Sequence, residues 1–228
     1  MDVARKTEII NQRLETHYGI PGRKAAHADP LRSLVLTILS QNTTDVNAAR
    51  AFDAMEARFA GADGRVEWSK VAEAPVEDLA TAIRSGGLSR QKSERIQNIL
   101  KWIRETYGGY RLDALREMDE LSAIETFTRH KGIGVKTIAV VLAFSCGMDV
   151  FPVDTHVHRV CRRLGLVKST LSAEKTFWAM REVIPPGKSF SLHLNMIRLG
   201  REICKARKPG CGGCPLAELC DYARKADD

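Results

Sequence analysis

The sequence lacks any apolar run long enough to cross a membrane. Its longest apolar stretch covers residues 138–144, far short of the roughly 18 to 20 residues that a membrane-spanning helix needs. The first twenty residues mix charges of both signs with apolar residues and contain no continuous apolar segment of the kind a secretory signal requires. We therefore expect a protein of the cytoplasm without a membrane partner.

Internal repeats, low-complexity tracts and sustained alternation of apolar and polar residues are also missing. The 228 residues are 44% hydrophobic and 28% charged, which excludes a disordered or fibrous chain. Apolar residues instead recur at three- and four-residue spacing, beginning with Leu31, Leu34, Val35 and Ile38. This periodicity predicts an all-α protein of about nine or ten helices. Beyond an N-terminal helix and the one that starts at Pro30, the predicted helices cover residues 46–59, 71–83, 93–107, 121–128, 136–145, 155–164, 173–183 and 192–206.

The positive charge is concentrated in the C-terminal part of the chain. The formal net charge is +7, with residues 1–128 close to neutral at −1 and residues 129–228 at +8. Such an uneven distribution is typical of a protein that binds a polyanion such as nucleic acid. The alternative is a solvated basic face on an unrelated enzyme.

Four of the six cysteines lie close together near the C-terminus, as Cys204-x6-Cys211-x2-Cys214-x5-Cys220. Because a chain of the cell interior rarely keeps structural disulfides, clustered thiols indicate metal ligation. One dense run of thiolates favours an iron–sulfur cluster over zinc, which usually brings two separated pairs together. Cys146 and Cys161 occupy apolar settings and are expected to be buried.

A turn with two glycines, Gly132 and Gly134, joins two predicted helices. Its backbone and the free N–H groups of the next helix predict an anion site that would suit a DNA phosphate, although a plain helix–helix turn is the alternative. Lys136 lies in the first turn of that next helix, where the positive end of the helix dipole favours the neutral, nucleophilic amine. Asp154 opens a later helix and is interpreted either as its N-cap or as an acid that faces the same cleft as Lys136.

Together, Gly132-Ile-Gly-Val-Lys136, Val-Asp154-Thr-His and the four-cysteine spacing resemble the endonuclease III family of helix-hairpin-helix DNA glycosylases. The resemblance implies two all-helical domains that flank a DNA-binding cleft. One, residues 24–148, would be a six-helix barrel domain with the hairpin, and the other, residues 1–23 and 149–228, an iron–sulfur cluster domain. It further implies a [4Fe–4S] cluster on the four cysteines, Lys136 as nucleophile and Asp154 as its acidic partner.

Further DNA contacts are implied by the same resemblance. Leu88 matches the residue that enters the duplex where a nucleotide is extruded, and either Gln41 or Asn42 matches the one that fills the vacated stack. Three basic residues of the cysteine loop are interpreted either as offsetting the thiolates or as gripping phosphate; they are Lys205, Arg207 and Lys208. The chain departs from the family in having His130-Lys131 where Leu-Pro usually precedes the hairpin.

The predicted activity is that of a bifunctional DNA glycosylase and abasic-site lyase acting on oxidised pyrimidines. Its partner would be double-stranded DNA that contains damaged bases or abasic sites, and we expect a monomer that associates with the nucleoid. Two alternatives remain open: a mismatch thymine or uracil glycosylase on the same fold, and a noncatalytic protein that binds DNA structures.

Overall fold

The computed structural model describes residues 1–22 and 29–224. Contacts divide the chain into a central unit, Ala25–Gly147, and a discontinuous terminal unit made of Met1–Lys24 and Met148–Asp228. Regular structure in the described residues is helical apart from one isolated bridge between Ala60 and Val66. The expected all-α class is therefore confirmed. No helix in this part of the chain has the length and hydropathy needed to cross a membrane.

Twelve α-helices occur in the described residues, and we number them along the chain. They are α1 (Val3–Tyr18), α2 (Pro30–Leu39), α3 (Asp45–Arg58), α4 (Trp68–Glu73), α5 (Val76–Ala82), α6 (Ser89–Tyr107), α7 (Glu120–Thr128), α8 (Val135–Phe144), α9 (Thr155–Leu164), α10 (Ala173–Arg181), α11 (Ser189–Glu202) and α12 (Asp221–Arg224). Short 3₁₀ turns cover Arg84–Gly86, Asp113–Arg116, Cys211–Gly213 and Ala217–Leu219.

The central unit is built around α2, which packs against α3, α6 and α8. The apolar face predicted for α2 is fully buried, because its side chains recur at the spacing that keeps them on one side of the helix. Asp29 accepts a hydrogen bond from the Leu31 N–H and Pro30 follows it, so the start of α2 is capped as the sequence predicts. The α6 stripe of Ile96, Leu100 and Ile103 is buried in the same way.

The terminal unit joins helices from both ends of the chain. Its α11 packs against α1 and α9. Glu15 of α1 forms an ion pair with Lys188 and accepts a hydrogen bond from the Ser191 hydroxyl at 2.6 Å. Lys6 donates to the Leu164 carbonyl and pairs with Asp221 at 2.9 Å. These contacts tie α1 to the C-terminal helices of its own unit.

Several of the predicted helix boundaries are wrong. Helix α6 begins at Ser89 and not at residue 93, and α10 ends at Arg181 and not at residue 183. The single helix expected over residues 71–83 is broken into α4 and α5, because Pro75 offers no N–H and the residue before it, Ala74, is extended with ψ of 152°. The helix expected to run to residue 206 ends at Glu202, where the Cys204 N–H turns back to the Leu199 carbonyl at 2.7 Å. The break at Pro75 and the short α12 raise the number of helices above the nine or ten expected.

Candidate active site

The hairpin, residues 131–134, connects α7 to α8 and requires glycine at its centre. Gly132 has φ of +89°, in the left-handed region that other residues avoid. A Cβ atom at this position would also lie 2.3 Å from Nε of Arg95. Gly132 therefore satisfies both a backbone and a packing requirement, whereas Gly134 has φ of −95° and open space around the corresponding position.

The start of α8 combines uncapped backbone with Lys136. Its N-cap residue is Gly134, so no side chain accepts hydrogen bonds from the first-turn N–H groups. Such groups, with the positive end of the helix dipole, form a ready anion site. Lys136 is the second residue of α8 and is half-buried. The side chain that sequence reasoning assigns as nucleophile thus lies at the same helix end as the predicted phosphate site.

The turn between α2 and α3 contains Gln41 and Asn42, and the structure gives them different environments. The Gln41 amide donates to the Gly132 carbonyl at 2.9 Å and to the Thr137 hydroxyl at 3.2 Å, and its oxygen accepts from Arg95 at 3.0 Å. Asn42 is exposed and has φ of +54°. Gln41 is therefore held against the hairpin, and Asn42 is the residue of the pair that faces solvent.

Leu88 projects from a strained turn at the start of α6. It follows Gly86 and Gly87, has φ of +48°, and exposes 55% of its surface. A left-handed conformation costs a residue with a side chain roughly 1–2 kcal/mol, and such strain concentrates at functional sites. An exposed leucine in this conformation is consistent with a wedge that awaits a partner surface.

His130 occupies the position before the hairpin where the family usually has an apolar residue. Its ring packs against an aromatic side chain. Its ring centroid lies 4.3 Å from that of Trp102, which also contacts Phe127 and Tyr107 edge to face. Burial lowers the pKa of His130 and so favours the neutral ring. The departure from the family pattern keeps a packed residue at this position.

Asp154 belongs to the terminal unit and caps α9. One carboxylate oxygen accepts the Val157 N–H at 2.7 Å. The side chain is half-buried after the buried residues 150–153, and the cap uses only one of its two oxygens. The capping role predicted from sequence is confirmed, and the geometry is compatible with a further role for the second oxygen.

The four clustered cysteines line a single cavity in the terminal unit. Its walls are formed by the four thiols together with six other residues, Arg163, Ile203, Pro209, Ala217, Tyr222 and Ala223. Burial raises the pKa of Cys214, and the nearby thiols of Cys204, Cys220 and Cys211 raise it further. In the described part of the chain, no three His, Cys, Asp or Glu side chains are placed to hold a single metal ion. Thiols spread around a cavity fit a multi-atom cluster better than one zinc ion.

Arg163 is the main polar side chain beside this cavity, and the sequence analysis did not identify it. Its guanidinium donates to Sγ of Cys204 at 3.3 Å and to the carbonyls of Lys205 and Ala206 at 2.7 and 3.1 Å. Its own carbonyl accepts from Sγ of Cys220 at 3.2 Å. Hydrogen bonds to thiolate ligands orient them and offset their charge. Arg163 therefore anchors both ends of the cysteine loop.

The sequence predicts that both remaining cysteines are buried, and the structure confirms this for one of them. Cys161 is fully buried, and burial raises its pKa to about 12, whereas Cys146 is only half-buried. Lys205, Arg207 and Lys208 are all exposed. They are thus open to contact with a partner.

Comparison with known proteins identifies the family in which this arrangement occurs. Residues 35–186 match the family model described as HhH-GPD superfamily base excision DNA repair protein, and residues 204–220 match the iron–sulfur binding domain of endonuclease III. Endonuclease III of Thermotoga maritima is 34% identical over 89% of this chain and 88% of its own. The Bacillus subtilis enzyme is 35% identical over 88% and 85%, and the Escherichia coli K12 enzyme is 29% identical over the full length of both.

Solved structures of endonuclease III bound to DNA have the same fold as this chain. A non-covalent endonuclease III–DNA complex superposes with a TM-score of 0.82 at 27% identity, covering 100% of this chain and 99% of the other. A trapped covalent endonuclease III–DNA intermediate gives 0.82 at 26% identity with complete coverage of both. The fold and the hairpin define a base excision repair protein of the helix-hairpin-helix class. More specifically, the chain belongs to the endonuclease III family and carries that family's iron–sulfur cluster loop.

Proposed function

We propose that the protein excises oxidised pyrimidines from duplex DNA and then cleaves the strand at the abasic site. Membership of the endonuclease III family makes it a DNA glycosylase with abasic-site lyase activity. The observation that carries the proposal is the half-buried Lys136 in the first turn of α8, directly after the glycine hairpin.

Binding begins with the DNA backbone and ends with an extruded nucleotide. The uncapped N–H groups at the start of α8 bind a phosphate, and the exposed Leu88 enters the base stack. Extrusion costs a few kcal/mol, least for a poorly stacked base. Asn42 fills the vacated position, since Gln41 already uses both ends of its amide within the protein.

The chemistry follows from an amine and a carboxylate. Nζ of Lys136 attacks C1′ of the deoxyribose, the N-glycosidic bond breaks, and the base leaves with the bonding electron pair. The carboxylate of Asp154 stabilises positive charge on the sugar and assists proton transfer. The lysine–sugar adduct opens to a protonated Schiff base, which acidifies the C2′ proton; loss of that proton expels the 3′ phosphate by β-elimination.

The cysteine loop has a docking role in this proposal. Cys204, Cys211, Cys214 and Cys220 hold a [4Fe–4S] cluster, which supplies a rigid fold to the loop. Lys205, Arg207 and Lys208 then contact phosphates on either side of the lesion. We further propose that the protein acts as a monomer on chromosomal DNA in the cytoplasm, and that residues 24–148 form the barrel domain while residues 1–23 and 149–228 form the cluster domain.

Borohydride trapping tests the proposal directly. The native protein should form a reducible covalent adduct with duplex DNA containing thymine glycol or dihydrouracil. Lys136→Ala should abolish the adduct, because Lys136 supplies the attacking amine in this proposal, and Asp154→Asn should keep DNA binding while base release slows strongly. Lys131→Ala, an exposed lysine of the same hairpin, is the matched control and should trap normally.

Other outcomes would overturn the assignment. Trapping by Lys136→Ala at the native rate would show that another amine is the nucleophile. Excision confined to thymine or uracil opposite guanine, across a panel of lesion duplexes, would replace oxidised pyrimidines as the substrate class.

A further inference from the structure

Lys92 of α6 is a lysine buried without an acidic partner. It is 1% exposed and is among the largest fully buried side chains of the described residues. In that part of the chain no carboxylate forms an ion pair with it. Burial lowers its pKa, and the nearby Arg95 adds to the effect. Placing an ammonium group in the interior is costly unless it is fully hydrogen-bonded. The hydrogen-bond partners of Lys92 therefore indicate its structural role.

Those partners are the last carbonyls of two separate elements. Nζ of Lys92 donates to the carbonyl of Leu39, the final residue of α2, at 2.6 Å. It also donates to the carbonyl of Gly86, the final residue of a 3₁₀ turn, at 2.8 Å. Carbonyls at helix ends lack intrahelical partners and carry partial negative charge, so a cation satisfies both. One ammonium group thus joins the ends of α2 and of the Arg84–Gly86 turn.

Each element is followed closely by a residue that we propose to enter the DNA base stack. The chain continues from Leu39 to Asn42 in three residues, and from Gly86 to Leu88 in two. The backbone N–H of Lys92 also donates to the Leu88 carbonyl at 2.9 Å. Lys92 therefore holds the Leu88 turn by its backbone and by its side chain, and holds the Asn42 turn by its side chain.

The backbone segments that Lys92 joins are closely packed. A Cβ atom at Gly86 would lie 3.2 Å from Cβ of Ala51 and 3.7 Å from the Leu39 carbonyl. The turn therefore lies against α2 and α3, and Nζ of Lys92 reaches both carbonyls from α6. Leu88 itself is 55% exposed and has φ of +48°, so few contacts of its own side chain hold it in place.

We propose that Lys92 is a positioning residue that fixes Leu88 relative to Asn42, so that one side chain enters the stack while the other fills the gap. The inference rests on the proposed function and deepens it, since Lys92 touches no substrate. Its action is expected only where a base must be extruded against a stable stack.

The test compares Lys92→Met, which has similar length and no donor, with Lys101→Met, an exposed lysine of the same helix. Circular dichroism first establishes that each variant is folded. Lys92→Met should slow excision of a well-paired lesion about tenfold, the scale of one lost charge-assisted contact. Nicking at a preformed abasic site, where extrusion costs little, should stay within about twofold. Lys101→Met should match the native protein on both substrates.

Two further measurements separate positioning from general stability. The fluorescence of 2-aminopurine next to the lesion reports extrusion without chemistry, and it should rise less with Lys92→Met. In the Leu88→Ala background, Lys92→Met should cause little additional loss on the paired lesion, because its effect passes through Leu88. Lys92→Gln keeps a donor on a shorter side chain, so its excision rate should lie between those of the native protein and Lys92→Met. It replaces Lys92→Met in these measurements if Lys92→Met does not fold.

Equal losses on paired and abasic substrates, or independent losses with Leu88→Ala, would overturn the proposal. Failure of the proposed function looks different: the native protein itself would then neither trap with borohydride nor excise any lesion. If the native protein is active and Lys92→Met gives a normal fluorescence change, the proposed role of Lys92 is wrong while the proposed function stands.

Discussion

We propose that the hairpin and the cysteine loop both contact the DNA backbone, yet the two are held in shape by different means. The hairpin lies between α7 and α8, buries Ile133, and takes its geometry from Gly132 and the neighbouring Arg95. The cysteine loop, residues 204–220, contains only two short 3₁₀ turns, and its one fully buried apolar side chain is Leu216. The polypeptide alone specifies the hairpin, whereas the loop depends on thiols gathered around a cavity. The cofactor thus takes the structural place of a hydrophobic core.

Loss of a cluster ligand should produce the largest effect and act on the loop. In Cys214→Ser we expect loss of the brown colour and of about four iron atoms per chain. Because metal ligation provides much of the folding energy in such small sites, amide hydrogen exchange over residues 204–220 should rise sharply and DNA affinity should fall at least about tenfold. The control is Cys146→Ser, outside the loop. Full iron content in Cys214→Ser, or zinc in the native protein, would contradict the cluster assignment.

A single methyl group should disrupt the hairpin without affecting iron content. Gly132→Ala combines left-handed backbone strain of roughly 1–2 kcal/mol with a clash against Arg95. We therefore expect it to lower the free energy of unfolding by about 2–4 kcal/mol. Gly134→Ala is the matched control, because its φ is ordinary and its surroundings are open; its cost should stay below about 1 kcal/mol. Denaturant titration measures both, and similar costs would show that the hairpin tolerates a side chain at Gly132.

The smallest expected effect comes from the charges of the loop. Neutralising Lys205, Arg207 and Lys208 together should weaken binding to lesion and undamaged DNA alike and reduce the salt dependence of binding by up to about one unit per lost phosphate contact. Single-turnover excision at saturating protein should change little, because Lys136 and Asp154 are intact. An unchanged salt slope would show that the loop does not touch the backbone and would leave docking to the hairpin.

Sequence reasoning was most successful where the determinants are local. The spacing of Leu31, Leu34 and Val35 predicts the buried face of α2, and Asp29 with Pro30 predicts its start. Local rules also account for the main error in the fold, since Pro75 forbids the continuous helix that the apolar spacing indicated. The resemblance to the endonuclease III family, carried by three short motifs, is confirmed by the comparisons.

The contacts that complete the site could not be predicted because they join residues far apart in sequence. Gln41 and Gly132 are separated by 91 residues, and Arg163 and Cys204 by 41. Their types alone do not show that they meet. A weak signal did exist for Lys92, which lies four residues before Ile96 and therefore on the apolar stripe of α6. A charged residue at a core position marks a buried interaction, but its acceptors are backbone carbonyls that no sequence pattern identifies.

The discontinuous terminal unit imposes an order on biosynthesis. Helix α1 is translated before the central unit, yet its partner α11 and the residues that pair with Glu15 are translated after it. Because domains generally fold as they emerge, the central unit can fold while α1 still waits for its partners. The cysteine loop comes later still, so the terminal unit cannot be completed before the cluster ligands have been translated. Assembly of the cluster must therefore follow translation of residues 204–220, after the central unit and α11 have been made.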